Sequence, residues 1–406
     1  MRLSSAQIFD SGTLGLQRTY NDLYKLQNQI STGRRILTPQ DDPVAAAQAL
    51  VTSDQQAVNN QYLDNQRTAK STLALLESHV GGMTEILQDV REKWVAAGNG
   101  AYTPSERRAV ATAIREDMQQ LLALANTKDA TGMAFFSGYK GGTQSFVDSN
   151  GTITYQGDGG RRQLQVSSQR FLDVSLSGQE VFESITQGNG RYVVNTDSAN
   201  LTRVGHDAAA AGPFDNYDGN TYRVTIQNQG LDYRVEQIDT TTGLPMAPAV
   251  VAAATYTSGG AITVGGATIT LTGTPVDNDN FTISPSTNQS VFTTINNFIT
   301  ALETGGTSDA LRASYHNQLN QLGLNFDQAL EHLSAQRSKL GSQLAELDNL
   351  VSLSQDVNVQ YATQLSDLQD LDYVAAYSDL TKKKTSLDAA QTAFVKVTGL
   401  SLFDKL

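Results

Sequence analysis

A heptad-like repeat of apolar residues runs from about Ser308 to Val397 and constrains the fold more than any other feature of the sequence. Its seam advances in steps of three and four residues, which is typical of a helix that lies along a second helix. No proline follows Pro285, and Gly323 and Gly341 each cost a helix only about 1 kcal/mol. We therefore expect one rod, roughly 130 Å long at about 1.5 Å per residue. A rod of that length cannot bury its stripe against itself, so it needs a partner elsewhere in the chain.

That partner is expected at the start of the sequence. Leu16, Leu23 and Ile30 recur every seven residues and Leu26 fills an intermediate position, so the pattern predicts a short N-terminal heptad helix. Gly33 is expected to end this helix as a C′ residue, because glycine adopts the left-handed backbone conformation without a steric penalty.

A connector from Arg34 to Gln40, with Pro39 in it, should follow the N-terminal helix. Asp41 and Asp42 come next, directly before Pro43. Asp42 is a favourable N-cap, and Pro43 suits the first position of a helix, where its missing N–H is not needed. Asp41 and Asp42 are interpreted either as caps or as a connector that sets subunit geometry, and capping is the favoured interpretation.

Two further helices are predicted before residue 135. One covers about residues 43–97, and the capping box from Thr103 to Glu106 starts the other. The apolar stripe of the helix over 43–97 and three seam positions of the C-terminal repeat are expected to form a helical core. Its residues are Leu73, Leu76, Val80, Met83, Leu87, Val90, Trp94, Leu333, Leu340 and Leu347.

From Phe135 to Pro285 the apolar period changes to two, and glycine and proline become frequent. This change predicts β-structure. The expected strands include 152–155, 164–166, 222–226, 233–236, 262–264 and 268–271, with turns at Asn150-Gly151, Asp158-Gly159, Asp218-Gly219 and Gly265-Gly266. A short amphipathic helix should follow at about residues 291–302.

The fold class predicted from these patterns is α+β and multidomain. A long, antiparallel, coiled-coil-like bundle of N- and C-terminal helices should carry an inserted β-rich middle domain. We expect residues 1–42 with 365–406 to form a terminal helical domain, and 43–135 with 289–364 to form a helical bundle domain. Residues 136–288 should form the β-rich outer domain, of which 136–186 could be a hairpin region that belongs to the helical domain.

Composition narrows the possible partners. The 406 residues carry 41 acidic and 29 basic side chains, a net charge of −12, which disfavours nucleic acid and anionic membranes as partners. The chain contains no cysteine, which excludes disulfides and a cysteine nucleophile. No apolar run is long enough to predict a membrane span, and the first residues do not have the pattern of a cleaved signal peptide.

The sequence predicts no catalytic, cofactor or metal site. None of the four histidines stands in a metal-ligand spacing. The glycine-rich run 157–160 precedes no helix and is interpreted as a hairpin turn, and the Asp/Asn run 277–280 as a turn at a strand edge rather than a calcium loop. We therefore expect a structural protein rather than an enzyme.

Motifs at both ends of the chain resemble the flagellin superfamily. They are Ile30-Ser31-Thr32-Gly33-Arg34-Arg35, Pro39-Gln40-Asp41-Asp42-Pro43-Val44-Ala45-Ala46, Phe136-Ser137-Gly138-Tyr139-Lys140, Leu340-Gly341-Ser342-Gln343-Leu344 and Gly399-Leu400-Ser401-Leu402-Phe403. Flagellins usually have Asp-Asp-Ala-Ala-Gly after the connector. The Asp-Asp-Pro form is the variant seen in members that join hook to filament. The resemblance covers about residues 1–185 and 290–406, and 187–288 has no family motif.

The resemblance implies an extracellular component of the bacterial flagellum, exported through the flagellar type III apparatus without a cleaved signal peptide. It implies a ring of subunits between the first hook-associated protein and the flagellin filament, and an export chaperone that binds the C-terminal helix. The alternatives are a filament-forming flagellin and a surface adhesin that uses 187–288 as its binding module.

The terminal seams are expected to become fully buried only in the assembly. We predict that residues 1–42 and 365–406 are disordered or fraying in the monomer, because such short seams lack a second wall. The residues assigned to the assembly interface are Leu16, Leu23, Leu26, Ile30, Leu368, Leu371, Leu380, Leu387, Phe394, Leu402 and Phe403.

Overall fold

The computed structural model describes residues 5–98, 102–149, 151–197, 200, 204–208, 216–305 and 309–399. Contacts divide the chain into two compact units, Met1–Gln66 with Asn349–Leu406 and Arg67–Asp348, called here the terminal unit and the central unit. The helices in chain order are α1 (Ser5–Thr32), α2 (Pro43–Gly98), α3 (Pro104–Ala125), α4 (Val291–Thr304), α5 (Asp309–Gln369) and α6 (Tyr373–Gly399). The predicted fold class, helices at both ends around a β-rich middle, is confirmed.

The expectation of one helix from Ser308 to Val397 is wrong. The chain leaves the helical conformation at residues 370–372, between α5 and α6. Asp372 caps the new helix, because one of its carboxylate oxygens accepts hydrogen bonds from the backbone N–H groups of Val374 at 2.9 Å and Ala375 at 3.1 Å.

Backbone contacts with the connector that follows α1 stabilise this break between α5 and α6. Arg34 forms an antiparallel bridge with Asp370, and Leu371 donates its backbone N–H to the carbonyl of Gly33 at 3.0 Å. Backbone groups that pair with the connector are not available to a continuous helix. The heptad pattern does not show this partner, which lies more than 300 positions away in the sequence.

The central unit contains the β-structure, and every strand pair in it is antiparallel. The strands are β1 (Phe146–Ser149), β2 (Thr152–Tyr155), β3 (Gln163–Ser167), β4 (Arg170–Asp173), β5 (Ile185–Thr186), β6 (Tyr192–Thr196), β7 (Gly205–Ala208), β8 (Thr221–Gln227), β9 (Asp232–Ile238), β10 (Val251–Thr255), β11 (Ala261–Val264), β12 (Ala267–Thr272), β13 (Asn280–Pro285) and β14 (Asn288–Gln289). All six strands expected from the alternation are present.

Two of the sheets share a core and are called here the outer part of this unit, after the outer domain expected from the sequence. One has the order β10-β9-β8-β13-β6 and the other the order β11-β12-β7. Their inward residues share one buried core, which includes Val224 and Phe281 from the larger sheet and Ile262, Ile269 and Leu271 from the smaller. Two smaller hairpins, β1-β2 and β3-β4, precede them in the chain.

The run 157–160 is not the hairpin turn that we expected. Strand β2 before it pairs with β1, and strand β3 after it pairs with β4, so the run joins two separate hairpins. Asp158 organises the loop, because its carboxylate accepts hydrogen bonds from the backbone N–H groups of Tyr139 at 2.8 Å and Gly160 at 2.9 Å. The sequence suggested a hairpin because Asp-Gly is common in such turns.

The helical core predicted from the sequence lies in the central unit. Nine of its ten residues are buried, with exposures of 3% or less, and Trp94 is half-buried: the nine are Leu73, Leu76, Val80, Met83, Leu87, Val90, Leu333, Leu340 and Leu347. Antiparallel packing of α2 and α5 is fixed at their surfaces by ion pairs, with Glu77 bound to Arg337 at 2.7 Å and Arg91 to Asp327 at 2.7 Å. The predicted capping box at Thr103 is also present and starts α3.

The Trp94 side chain packs against α5 at Gly323. The indole N–H donates to the carbonyl of Leu319 at 2.8 Å, and the ring lies over Gly323. A Cβ at Gly323 would lie only 2.2 Å from a ring carbon, which no real contact permits. Gly341, also inside α5, has no atom within 4 Å of the same position. One glycine is therefore required by packing and the other is not.

We predict opposite effects for the same substitution at these two glycines. Gly341→Ala should raise the free energy of unfolding by about 1 kcal/mol, because alanine is the better helix former. Gly323→Ala should lower it by about 1–3 kcal/mol, because the indole must move. Urea unfolding followed by the fluorescence of Trp94, the only tryptophan of the chain, measures both. Equal changes in the two variants would contradict the close approach of the ring.

Candidate assembly surface

Helices α1 and α6 pack antiparallel within the terminal unit. The ring of Phe9 lies 5.3 Å from that of Phe394, and Gln391 donates to the Tyr20 hydroxyl at 3.1 Å. Farther along, Lys383 forms an ion pair with Asp22. Residues later in α1 therefore meet residues earlier in α6, and the first and last helices of the chain run side by side.

Close approach of these helices depends on a glycine. The Phe394 ring lies over Gly12, where a Cβ would come within 2.7 Å of two ring carbons. A larger residue at position 12 would push the ring away from α1. This contact is not visible in the heptad pattern, because a glycine at a packing position leaves a gap in it.

The described residues assigned to the assembly interface fall mainly on the inner faces of the terminal unit. Leu387 is buried, at 5% exposure, and the others are half-buried: Leu16, Leu23, Leu26, Ile30, Leu368, Leu371, Leu380 and Phe394. Leu402 and Phe403 lie outside the described residues. Packing within one chain thus covers these side chains only in part.

Sequence reasoning missed a second set of apolar residues in this unit. Each exposes half or more of its surface. Phe9 and Tyr20 lie at the margin of the α1–α6 contact, where they also touch α6. The others stand on the outer faces of α1 and α6 and are called here the outer stripe: Leu14, Tyr24, Val374, Tyr377 and Val395. The heptad pattern selects one face of a helix, so residues beside that face were not considered. Val374 and Tyr377, three residues apart on α6, are the signal that could have revealed the outer stripe.

Exposed apolar side chains also occur at the beginning of α2 and the end of α5, inside the terminal unit. Their contact buries polar groups: Gln66 donates to the Ser354 hydroxyl at 3.0 Å, and Asn59 donates to the Ser354 carbonyl at 2.8 Å. The outer faces carry exposed aliphatic side chains, which are Val44, Leu50, Val51, Val58, Leu353 and Val359. These side chains are available for burial against another protein.

The connector between α1 and α2 is closed by backbone and carboxylate contacts. Gly33 has φ of +71° and ends α1 in the left-handed conformation. Pro39 is exposed in the middle of the connector, and Pro43 is the first residue of α2. The carboxylate of Asp42 accepts the backbone N–H of Ala45 at 3.0 Å, which is an N-cap contact.

Asp41 closes the connector on itself. One oxygen accepts hydrogen bonds from the N–H groups of Leu37 and Thr38, both at 2.9 Å, and the other meets the Lys25 ammonium at 2.6 Å. The contact with Lys25, followed by those with Thr38 and Leu37, holds the pKa of Asp41 well below its ordinary value. The contact with Ala45 likewise lowers the pKa of Asp42.

The histidines do not converge on a shared site. His79 lies beside Phe135, with ring centroids 5.6 Å apart, and His332 hydrogen-bonds the Glu180 carbonyl at 2.8 Å. His206 is buried at the edge of the smaller sheet of the outer part. Among the described residues, no group of three or more histidine, aspartate or glutamate side chains could hold a metal ion. None of the described helices is both long and apolar enough to cross a membrane.

Comparison with known families matches both ends of the chain. Residues 11–141 match the family model of the bacterial flagellin N-terminal helical region, and residues 324–403 match that of the bacterial flagellin C-terminal helical region. The two matches contain α2, α3 and α6 completely, and most of α1 and α5. The two outer sheets lie between them.

Individual proteins similar to this chain have consistent names. Flagellar hook-associated protein 3 of Escherichia coli is 28% identical over 403 residues, which is 99% of each chain. The crystal structure of the flagellar junction protein FlgL from Legionella pneumophila is 27% identical with a TM-score of 0.68, and the match covers 80% of this chain and 100% of that one. FlgL of Xanthomonas campestris is 26% identical with a TM-score of 0.69, covering 78% and 99%.

We predict that Asp41 controls the order of the connector. Asp41→Ala removes the acceptor for two amides, so hydrogen exchange at Leu37 and Thr38 should accelerate by roughly tenfold at pH 7. Asp41→Asn keeps an acceptor oxygen without the charge and should have an intermediate effect. Asp54→Ala, at an exposed position of α2, is the control and should leave both amides unchanged.

The pH dependence of this contact follows from the lowered pKa of Asp41. Protection of Leu37 and Thr38 should be complete above the ordinary carboxyl value of 3.8 and should be lost as the pH falls below it towards the lower folded value. Exchange measured from pH 7 to pH 2 and corrected for intrinsic rates tests this. Protection that is already lost at pH 5 would contradict the assignment.

Proposed function

This chain belongs to the flagellin family of bacterial flagellar proteins, and we propose that it is a structural subunit of the junction between hook and filament. The full-length similarity to proteins named for that position supports the role. The observation that carries the proposal is the apolar surface of the terminal unit, because a subunit that polymerises must present apolar contact area before it assembles. The role is structural, and no catalytic step is assigned to it.

In this proposal the subunits form a ring through α1 and α6. The inner seam, with Leu387 and Phe394, holds the two helices of one subunit together, and the outer stripe, with Tyr24, Val374 and Tyr377, meets neighbouring subunits. Each large apolar side chain that becomes buried contributes about 1.5–3 kcal/mol. The ring contacts the first hook-associated protein on one side and the flagellin filament on the other.

The assembly domain consists of 1–42 with 365–406 in this proposal. Residues 43–135 with 289–364 form the supporting helical bundle, and 136–288 form the outer domain. Strand pairing supports the assignment of 136–186 as a hairpin region, because within the described part of the chain β1 to β4 pair only among themselves, in two hairpins. The protein is exported through the flagellar type III apparatus and becomes extracellular, and an export chaperone covers α6 before export.

Ordering of the terminal helices is coupled to assembly. Among the described residues of the terminal unit, the buried apolar side chains are few: Ala45, Ala49, Leu63, Ala376 and Leu387. Three of these are alanines, which gain little from burial, so α1 and α6 are marginal without neighbours. A marginal terminal unit keeps exported subunits soluble and separate until they reach the growing end.

We predict a difference in protease sensitivity along the purified monomer. Limited proteolysis should cut within 5–42 and 365–399 well before it cuts within 50–130, because the latter carries the buried α2 stripe. Mass spectrometry of the fragments locates the cuts. Equal resistance of the ends and of 50–130 would contradict coupled ordering. The expectation for residues 1–4 and 400–406 lies outside the described residues.

We predict that the outer stripe is required for assembly but not for folding. Tyr24→Asp with Val374→Asp should leave helix content and unfolding unchanged, because both side chains are exposed, at 67% and 83%. The variant should not be incorporated into the junction, because assembly would bury the two new carboxylates against a neighbouring subunit, away from water. In a strain that lacks the native gene, filament subunits should then be shed into the medium. Phe171→Asp, exposed at 54% on β4, is the matched control and should restore attached filaments.

A second variant separates the outer stripe from the inner seam. Leu387→Asp with Phe394→Asp should also abolish attachment, but it should in addition increase proteolysis of α1, because the seam itself is lost. Normal filaments from the Tyr24 and Val374 variant would overturn the assignment of the outer stripe. The length of polymer formed by the purified chain distinguishes a junction subunit, which adds a short layer, from a filament flagellin, which polymerises without limit.

A further inference from the structure

Helix α5 carries a row of amide side chains that its own helical core does not use. The row recurs at spacings of three and four residues, which place its members on one side of a helix: Asn317, Asn320, Gln321, Asn325 and Gln328. The buried seam of the same segment, with Leu319, Leu322 and Phe326, lies on the opposite side. The amide row therefore belongs to a different contact, which is the contact with the outer part.

Asn317 binds the backbone at the start of β7, in the smaller sheet of the outer part. Its side-chain oxygen accepts a hydrogen bond from the N–H of His206 at 3.0 Å, and its side-chain nitrogen donates to the carbonyl of Val204 at 2.8 Å. Asn320, one turn farther along, donates to the carboxylate of Asp207. Asn317 is buried, with 6% exposure, so one enclosed amide fixes both the position and the direction of this strand.

Asn325 binds the segment by which the chain enters the outer part. Its side-chain oxygen accepts a hydrogen bond from the N–H of Gly188 at 2.7 Å, between β5 and β6. Gln328 accepts one from the hydroxyl of Thr186 at 3.1 Å. Asn325 is also buried, with 5% exposure. The two buried amides of α5 thus hold the outer part at two separate places.

Two paired segments join the outer part to the rest of the chain, because β6 to β13 follow one another in the sequence. Strand β5 pairs with β14, and the N–H of Gln187 donates to the carbonyl of Thr287 at 3.0 Å. Residues 185–191 and 286–289 are called here the neck. Two-stranded ribbons vary more in twist than wider sheets, so a neck of this kind can act as a hinge.

The outer part does not need α5 to complete its core. Val224, Ile269 and Phe281 are fully buried in the core that its two sheets share. Towards α5 there is instead a cavity of about 240 Å³, whose walls include Trp94 and Val193. A contact with a cavity in it is not closely packed, and hydrogen bonds that can be exchanged for bonds to water add little net stability. The amides therefore supply position more than strength.

We propose that the outer part is a hinged body that turns about the neck, and that Asn317 and Asn325 are the positioning residues that hold it in one position on α5. Lifting the outer part opens the cavity to solvent and exposes more of the Trp94 indole. The outer part lies outside both matches to the flagellin family, so the junction role does not account for how it is held. The hinge does not involve the terminal helices, so its failure would leave the proposed junction role intact.

Removal of both amides tests the proposal on the full chain. Asn317→Ala with Asn325→Ala leaves the N–H groups of His206 and Gly188 buried without an acceptor, which costs more than the hydrogen bonds themselves contribute. Lifting the outer part relieves this cost by giving both groups access to water. Asn349→Ala makes the same substitution at an exposed position of α5 and is the matched control.

The absence of cysteine allows two spin labels to be placed at chosen positions. Ala335→Cys labels α5 and Ala261→Cys labels β11, both at exposed positions. With the native asparagines, and with Asn349→Ala, pulsed EPR should give one narrow distribution of distances between the labels. In the variant without both amides we expect a distribution roughly twice as wide, because the outer part then turns about the neck.

Two further measurements separate turning from unfolding. The acrylamide quenching constant of Trp94, the only tryptophan, should rise roughly twofold in the variant without both amides, because the cavity opens. Hydrogen exchange at Val224 and Phe281 should stay slow, because the shared core of the outer part is retained. An unchanged distance distribution, an equal change with Asn349→Ala, or loss of protection at Val224 and Phe281 would overturn the proposal.

Discussion

The antiparallel contact between α2 and α5 in the central unit is the interaction on which the rest of the structure depends. It joins residues more than 200 positions apart, so the chain between them must leave the helices and return at the same place. The two ion pairs, the Trp94 hydrogen bond and the buried leucine stripe all give the same register. With that register fixed, α3, α4 and the sheets are insertions that need only pack against an existing wall. Helices matched in length at both ends of the chain are the consequence.

The terminal unit follows the same helical plan with a different distribution of polarity. In the central unit the α2 stripe is buried leucine, valine and methionine. In the terminal unit the α2–α5 contact buries Gln66 and Ser354, and aliphatic side chains face outward. Polar groups that hydrogen-bond to each other contribute little net stability, whereas exposed apolar groups gain it only from a partner. A protein that must remain a monomer and later polymerise needs this division between a stable part and an incomplete part.

The sequence was sufficient where a periodic pattern decides the structure. Heptad spacing predicted the helices and their pairing, and period-two alternation located the strands. Prediction from the sequence failed where contacts with a segment far away in the chain determine the backbone conformation. The break between α5 and α6 depends on Gly33 and Arg34, and nothing in the local sequence around Asp370 requires it. The prediction of a hairpin turn at Asp158 was wrong for a similar reason, because the Asp158 carboxylate binds the backbone of Tyr139, 19 residues earlier in the chain. Gly323 was interpreted by helix propensity alone, whereas the structure shows that the Trp94 ring lies directly on it.

The incomplete surface of the terminal unit is apolar rather than charged. Asp22 and Lys25 stand beside the outer stripe, but Lys383 and Asp41 of the same chain already pair with them. Burial of side chains such as Tyr24 and Tyr377 is therefore the main gain that a neighbouring subunit offers, at about 1.5–3 kcal/mol for each large side chain. In the proposed ring that gain comes only when the neighbour is in place, so the packing of the terminal helices and the assembly are completed in the same step.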